Sequence, residues 1–154
     1  MTNIIVIANQ KGGVGKTTTS INLAAALSEI GKKTLLVDLD SQGNASSACG
    51  LSQDMSFSSV YDLLLGDAEA KECIIKAQED DFDIIPSNRD LMAAEIQLLE
   101  LENRELTLKN ALQSISADYD FVIIDSPPSM NILTLNALSF AKHLIIPVQC
   151  EYYA

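Results

Sequence analysis

Lys11-Gly12-Gly13-Val14-Gly15-Lys16-Thr17-Thr18 is the stretch on which the fold turns. It follows an apolar run, Ile4-Ile5-Val6-Ile7-Ala8, and precedes a run that can be helical, Thr18 to Ile30. Strand, glycine-rich turn and helix start, in that order, are the parts of a phosphate-binding loop. The glycines let the backbone turn tightly and aim successive N–H groups inward. The helix that follows adds its unsatisfied N–H groups and the positive end of its dipole. Lys16 can set a cation against the outer phosphates, and the Thr17 hydroxyl suits magnesium. The ordinary spacing would put glycine where Gln10 stands; here a second lysine, Lys11, precedes the glycines instead.

Two more segments point to the same edge of a sheet. Thr34-Leu35-Leu36-Val37 reads as a second buried strand, which with the first strand and the helix forms a β-α-β unit whose strands run parallel. It ends in Asp38-Leu39-Asp40-Ser41-Gln42-Gly43-Asn44-Ala45. Ligands of an open parallel sheet sit beyond the carboxyl ends of its strands, so this loop belongs on the side of the glycine loop. Capping a following helix suits Asp38 equally well. Tyr119-Asp120-Phe121-Val122-Ile123-Ile124-Asp125 is a third strand ending in aspartate, followed by Ser126-Pro127-Pro128. Asp125 can support magnesium through its water shell, because magnesium gives up few waters.

These residues together resemble the deviant Walker A motif, signature loop and Walker B strand of the ParA/MinD superfamily of ATPases, and the Soj-type branch most closely. The loop D-L-D-S-Q-G-N-A departs from the usual D-x-D-P-Q-G-N-A only at Ser41, a residue compatible with a turn. The resemblance implies ATP or ADP with Mg2+ as ligands. It assigns Gly12, Gly13, Val14, Gly15, Lys16, Thr17 and Thr18 to the nucleotide, with Thr17, Asp40 and Asp125 at the metal. Lys11 would reach the nucleotide of the other subunit across an ATP-dependent homodimer. Lys11, Lys16 and Asp40 would carry catalysis, Asp40 by orienting the attacking water. A ParB-type partner and DNA bound without sequence preference are further implications, as is a nucleoid-associated role in chromosome or plasmid segregation.

Length and composition set the bounds. The chain has 154 residues and 47% hydrophobic content, which suits one domain, 1–154, with a substantial core. No apolar run approaches a membrane span. Met1-Thr2-Asn3 carries no basic segment, so we expect no signal peptide and a cytoplasmic protein. The net charge of −11 argues against DNA binding by this segment alone. Cys49, Cys73 and Cys150 show no C-x-x-C and read as free thiols. His143, the only histidine, reads as structural.

The expected fold class is α/β: a P-loop NTPase of three α/β/α layers around a mainly parallel sheet, left incomplete. Strands are expected at 3–8, 34–37, 82–85, 119–125 and 144–148, and helices at about 16–30, 105–116 and 131–141. Short helices are expected at Tyr61 to Leu65 and Glu72 to Ala77. Ser87 or Asn88 is expected to cap a helix running through Leu91 to Glu102, and Gly31 to end the first helix in the left-handed conformation. Gln149-Cys150-Glu151-Tyr152-Tyr153-Ala154 resembles the family's Q-x-E-x-x-A lead into a further helix. Family members continue past this point, with the basic residues that contact DNA, so the expectation is a truncated product or fragment.

Two rival readings carry less. A MinD-like membrane ATPase would need a basic amphipathic helix, and none is present in the sequence. A nitrogenase-iron-protein reading would need cluster cysteines between Phe121 and Leu135, where there are none. From another class comes a truncated, non-catalytic dimerisation module.

Overall fold

The computed structural model describes residues 1–52, 55–78 and 81–151. Six strands form one sheet: β1 (Asn3–Ile7), β2 (Thr34–Asp38), β3 (Ile75–Lys76), β4 (Asp83–Ile85), β5 (Phe121–Asp125) and β6 (His143–Ile145). Their order across the sheet is β3-β4-β2-β5-β1-β6. All neighbours are parallel except β3, which runs antiparallel to β4 at one edge. The expected β-α-β unit exists, with α1 (Lys16–Glu29) between parallel β1 and β2. The two strands are not neighbours, however, since β5 inserts between them. That insertion brings the ends of β1, β5 and β2 side by side, with Ile7 paired to Asp125 and Asp125 to Asp38.

The strands are apolar on both faces because helices cover both faces. Ile4, Val6, Leu35, Val37, Val122 and Ile124 join one core cluster, under α3 (Val60–Leu65), α4 (Leu91–Gln97), α5 (Thr107–Ser116) and α6 (Ile132–Phe140). The alternate residues Ile7, Leu36, Ile84 and Ile123 join a smaller cluster on the opposite face, under α1 and α2 (Asn44–Ala48).

Helix ends follow local chemistry. Gly31 adopts φ +79° after α1. Its N–H donates to the Ser28 carbonyl at 2.8 Å and the Lys32 N–H to Leu27 at 3.0 Å, a complete Schellman closure. Asn131 caps α6, its Oδ1 accepting from the N–H groups of Leu133 and Thr134. Ser59 and Asp62 form a reciprocal capping box on α3.

Several expectations need correction. Glu72 to Ala77 is not a helix: a 3-10 turn at Ala70–Cys73 leads into β3. Neither Ser87 nor Asn88 caps α4 by side chain; the residue at its start is Asp90, also without a side-chain bond, and the helix gives way to a 3-10 turn at Leu98–Glu100. The last strand begins at His143 and stops at Ile145, before Pro147. Of the lead into a further helix, residues 152–154 lie outside the described residues.

Candidate active site

The loop after β1 is built by glycine. Gly13 and Gly15 hold φ +71° and +90°, left-handed values that an L side chain pays for. A Cβ at Gly12, Gly13 or Gly15 would meet nothing within 4 Å, so these positions face open space that a ligand can fill. Val14 is buried and anchors the loop to the body of the protein. Gly15 also stands at the N-terminus of α1, where no side chain caps the first N–H groups and no acidic residue occupies the first turn. The positive end of the helix is thus left for an exogenous anion.

Lys16 is buried, and its ammonium donates to the Lys11 carbonyl at 3.0 Å, bridging the base of the loop. The Lys11 N–H in turn donates to Asn9 Oδ1 at 3.0 Å, while the Gln149 amide donates to the Gly13 carbonyl at 3.0 Å. A cleft of about 510 Å³ opens over this loop. Lining it are Gly12, Gly13, Gly15, Lys16, Thr17 and Thr18, with Asp40, Gln42 and Asn44 from the segment after β2 and Pro128 from the segment after β5. The Lys11 side chain is exposed and does not line the cleft.

Asp125 sits at the end of β5, fully buried behind Thr17. Thr17 Oγ1 donates to Asp125 Oδ2 at 2.8 Å, and Ser20 Oγ donates to Oδ1 at 2.8 Å. Burial pushes the Asp125 pKa up; the two hydroxyls pull it down, the charge of Asp40 pushes it up again, and Lys16 opposes that. A carboxylate and a hydroxyl in contact are oxygen donors suited to a hard cation. Among the described residues no three of His, Cys, Asp or Glu cluster as a metal cage. Magnesium fits such a sparse set, since it keeps several waters and shares substrate phosphates.

Asp40 is buried at the margin of the cleft, where its Oδ1 accepts from the Gln42 N–H at 3.0 Å. Asp38 is wholly buried behind it. Its Oδ1 accepts from the Asp40 N–H at 3.1 Å, and its Oδ2 from the Ser46 N–H at 2.9 Å and the Ser46 hydroxyl at 2.7 Å. Burial lifts the Asp38 pKa to about 7, against those hydrogen bonds and with help from the Asp125 charge. Asp38 therefore holds the start of α2, and the capping reading suits it.

The structure brings Gly12 through Thr18, Asp40 and Asp125 to one edge of the sheet. Sequence reasoning missed Ser20, Gln42, Asn44 and Ser46. Ser20 had a signal: Lys16, Ser20 and Ala24 recur every four residues as the buried stripe of α1, and two of these three are polar. A polar residue on a sheet-facing stripe needs a partner, and Asp125 is that partner.

The chain is similar to proteins of known family. A family model described as AAA domain matches residues 2–154. The chromosome partitioning protein ParA of Myxococcus xanthus is 50% identical over 151 residues, which cover 98% of this chain and 53% of that protein. The sporulation initiation inhibitor protein Soj of Bacillus subtilis is 50% identical over 154 residues, covering 100% of this chain and 61% of Soj. Among solved structures, one described as cobyrinic acid a,c-diamide synthase from Mycobacterium smegmatis with bound ADP and magnesium superposes with a TM-score of 0.96 at 46% identity. It is covered to 62% by the whole of this chain. The chain thus spans between about half and about 60% of the length of these relatives.

Proposed function

The chain belongs to the AAA-domain family, in the branch of the ParA and Soj P-loop ATPases, and from that premise we propose that it binds and hydrolyses Mg-ATP as part of a partition ATPase. The observation that carries this reading is the 2.8 Å contact between Thr17 Oγ1, in the cleft lining, and Asp125 Oδ2, buried behind it. A hydroxyl that lines the cleft and a carboxylate buried behind it, from two elements 108 residues apart, meet beside the glycine loop. Main-chain N–H groups of Gly12 to Thr18 bind those phosphates, and Lys16 turns from the Lys11 carbonyl onto them. Magnesium supplies charge neutralisation between the outer phosphates when bound. Thr17 and Asp125 hold it, with Asp40 alongside. Asp40 lies at the cleft margin, orients the attacking water and positions it in line with the leaving group.

Lys11 acts in trans, completing the site of a second subunit in an ATP-dependent homodimer. Its exposure and its place outside its own cleft support that role. The intact protein binds DNA without sequence preference and meets a ParB-type partner that stimulates turnover, in chromosome or plasmid segregation on the nucleoid. The charge of −11 supports DNA contacts made by residues other than these. No described helix is long and apolar enough to cross a membrane.

The test is Mg-ATPase turnover of the full chain beside Lys16→Ala and Asp40→Ala. Both variants are expected to lose at least about tenfold in kcat. Undiminished turnover in both would defeat the assignment.

A further inference from the structure

A second tier of polar contacts stands behind the cleft, out of reach of the nucleotide. The Ser46 hydroxyl is buried, at 1% exposure. It donates to Asp38 Oδ2 at 2.7 Å and accepts from the Ser87 N–H at 2.9 Å. Ser87 follows β4 and is itself fully buried. One hydroxyl therefore joins three elements: the end of β2 through Asp38, the start of α2 through its own backbone, and the segment after β4 through Ser87. The chain of contacts continues from Asp38 Oδ1 to the Asp40 N–H, the main chain that carries the cleft carboxylate.

We propose that Ser46 is a positioning residue for hydrolysis, fixing Asp40 through Asp38 and tying that placement to the segment after β4. The inference rests on the ATPase reading and adds to it a residue that touches neither nucleotide nor metal. The physical reason is the scarcity of donors. Asp38 is buried beside Asp125 without a cation in contact among the described residues, and it receives three hydrogen bonds, two of them from Ser46. Without the hydroxyl, Asp38 loses its shortest bond and the Ser87 N–H is left buried without its acceptor. The loop 39–43, set between Asp38 and Ser46, then loses the geometry that aims Asp40. A displacement of about 1 Å at a positioning group is enough to cost a large factor in rate. Among the described residues none of the hydrogen bonds of Ser46 goes to residues 11–18, so the phosphate-facing backbone is expected to keep its shape and most of its affinity.

The experiment compares the full chain with Ser46→Ala and Ser46→Thr, measuring kcat and KM for Mg-ATP, affinity for a fluorescent ATP analogue, and Tm. The expected result is a kcat at least fivefold lower for Ser46→Ala, analogue affinity within twofold of the parent, and recovery of most of the lost kcat by Ser46→Thr, which restores the hydroxyl. Equal kcat in Ser46→Ala and the parent overturns the proposal. So does a parallel loss of affinity and kcat, or a failure of Ser46→Thr to recover turnover while its Tm matches the parent, since each marks a merely structural role. A parent chain without turnover, indifferent to Lys16→Ala, removes the ATPase reading and this inference with it. Activity in the parent, lost in Lys16→Ala and kept in Ser46→Ala, removes this inference alone.

Discussion

The two edges of the sheet carry carboxylates in opposite ways. At the edge where the parallel strands begin, Asp83 and Asp81 share Lys76, at 3.6 and 2.9 Å, and the Tyr119 hydroxyl donates to Asp83 at 2.8 Å. Asp120 accepts from the Lys33 N–H in the same region. These groups are half-buried or exposed, and each acid has a donor or cation at hand. At the edge where the strands end, Asp38 and Asp125 are both fully buried and face each other across β2 and β5. Their partners are hydroxyls and amides, and both pKa values are driven up chiefly by burial. One edge is satisfied as it stands. The other holds negative charge that a cation would relieve, beside a loop and a helix terminus that want an anion. An ion pair of the kind magnesium makes with phosphate answers both demands at once.

The largest expected effect separates the edges directly. Asp125→Asn keeps the shape at the end of β5 but removes the charge, and should lower Mg-ATPase kcat by about 100-fold or more. Its Tm without nucleotide should be equal to or above the parent's, because a costly buried charge is gone. Asp83→Asn at the opposite edge should leave kcat within twofold. If Asp83→Asn cost as much turnover as Asp125→Asn, the contrast between the edges would be lost.

A matched pair of glycines sharpens the comparison next. Gly15 and Gly31 hold similar left-handed backbone, φ +90° and +79°, at the two ends of α1, and neither has an atom near its missing Cβ. Alanine at either should cost about 1–2 kcal/mol of stability, the price of the left-handed conformation. Denaturant titration should give similar losses for both. ATP-analogue binding should fall at least about tenfold in Gly15→Ala only, since only Gly15 lines the cleft proposed to take the phosphates. Equal binding in the two variants would mean that the loop is not the ligand's seat.

The pH dependence of stability comes third. Asp38 has a folded pKa of about 7, above its ordinary value of 3.8. Between those values the folded state holds a proton that the unfolded chain has released, so unfolding free energy falls as pH rises. The contribution of Asp38 is therefore full below about pH 4 and lost as pH passes through 7. The loss should be about 3–4 kcal/mol without nucleotide, and Asp38→Asn should flatten that slope. Chemical denaturation from pH 4.5 to 8 measures it; an unchanged slope in Asp38→Asn would show that the proton sits elsewhere.

Much of this was legible in the sequence, for physical reasons that differ by residue. The glycine loop, Asp40 and Asp125 could be read because each lies at the end of a contiguous apolar strand, and a parallel sheet forces those ends to one side. Gly31 could be read because only glycine closes a Schellman turn at little cost. What was not legible depends on partners distant in the chain. β3 has two residues and exists because Ile75 and Lys76 pair with Ile84 and Asp83, which no local period announces. The placement of β5 between β1 and β2 is likewise a long-range choice. Ser46 looks like any helix serine until Asp38 and Ser87 are brought against it, and Ser20 like any other serine until Asp125 is. α4 starts at Leu91 without a side-chain cap, so the cap rule pointed to Ser87, whose N–H serves Ser46 instead.

The smallest effect tests the quieter edge by itself. Lys76 bonds Asp81 at 2.9 Å and Asp83 at 3.6 Å, and its pKa is raised, first by the hydrogen bond to Asp81. That pairing has the look of a structural clasp for β3, which rests on β4 through a two-residue ladder. Yet the Lys76 and Asp81 side chains remain 57% and 89% exposed, so water screens the attraction and ordering two side chains offsets much of what is left. Lys76→Met should therefore change stability by under about 1 kcal/mol, with kcat unaltered. Raising salt to 1 M should shrink the difference further, because screening acts on exposed pairs first. A loss above that size, persisting in high salt, would mean that the starting edge of the sheet depends on its charges as the ending edge does. The two edges would then differ in occupant and not in kind.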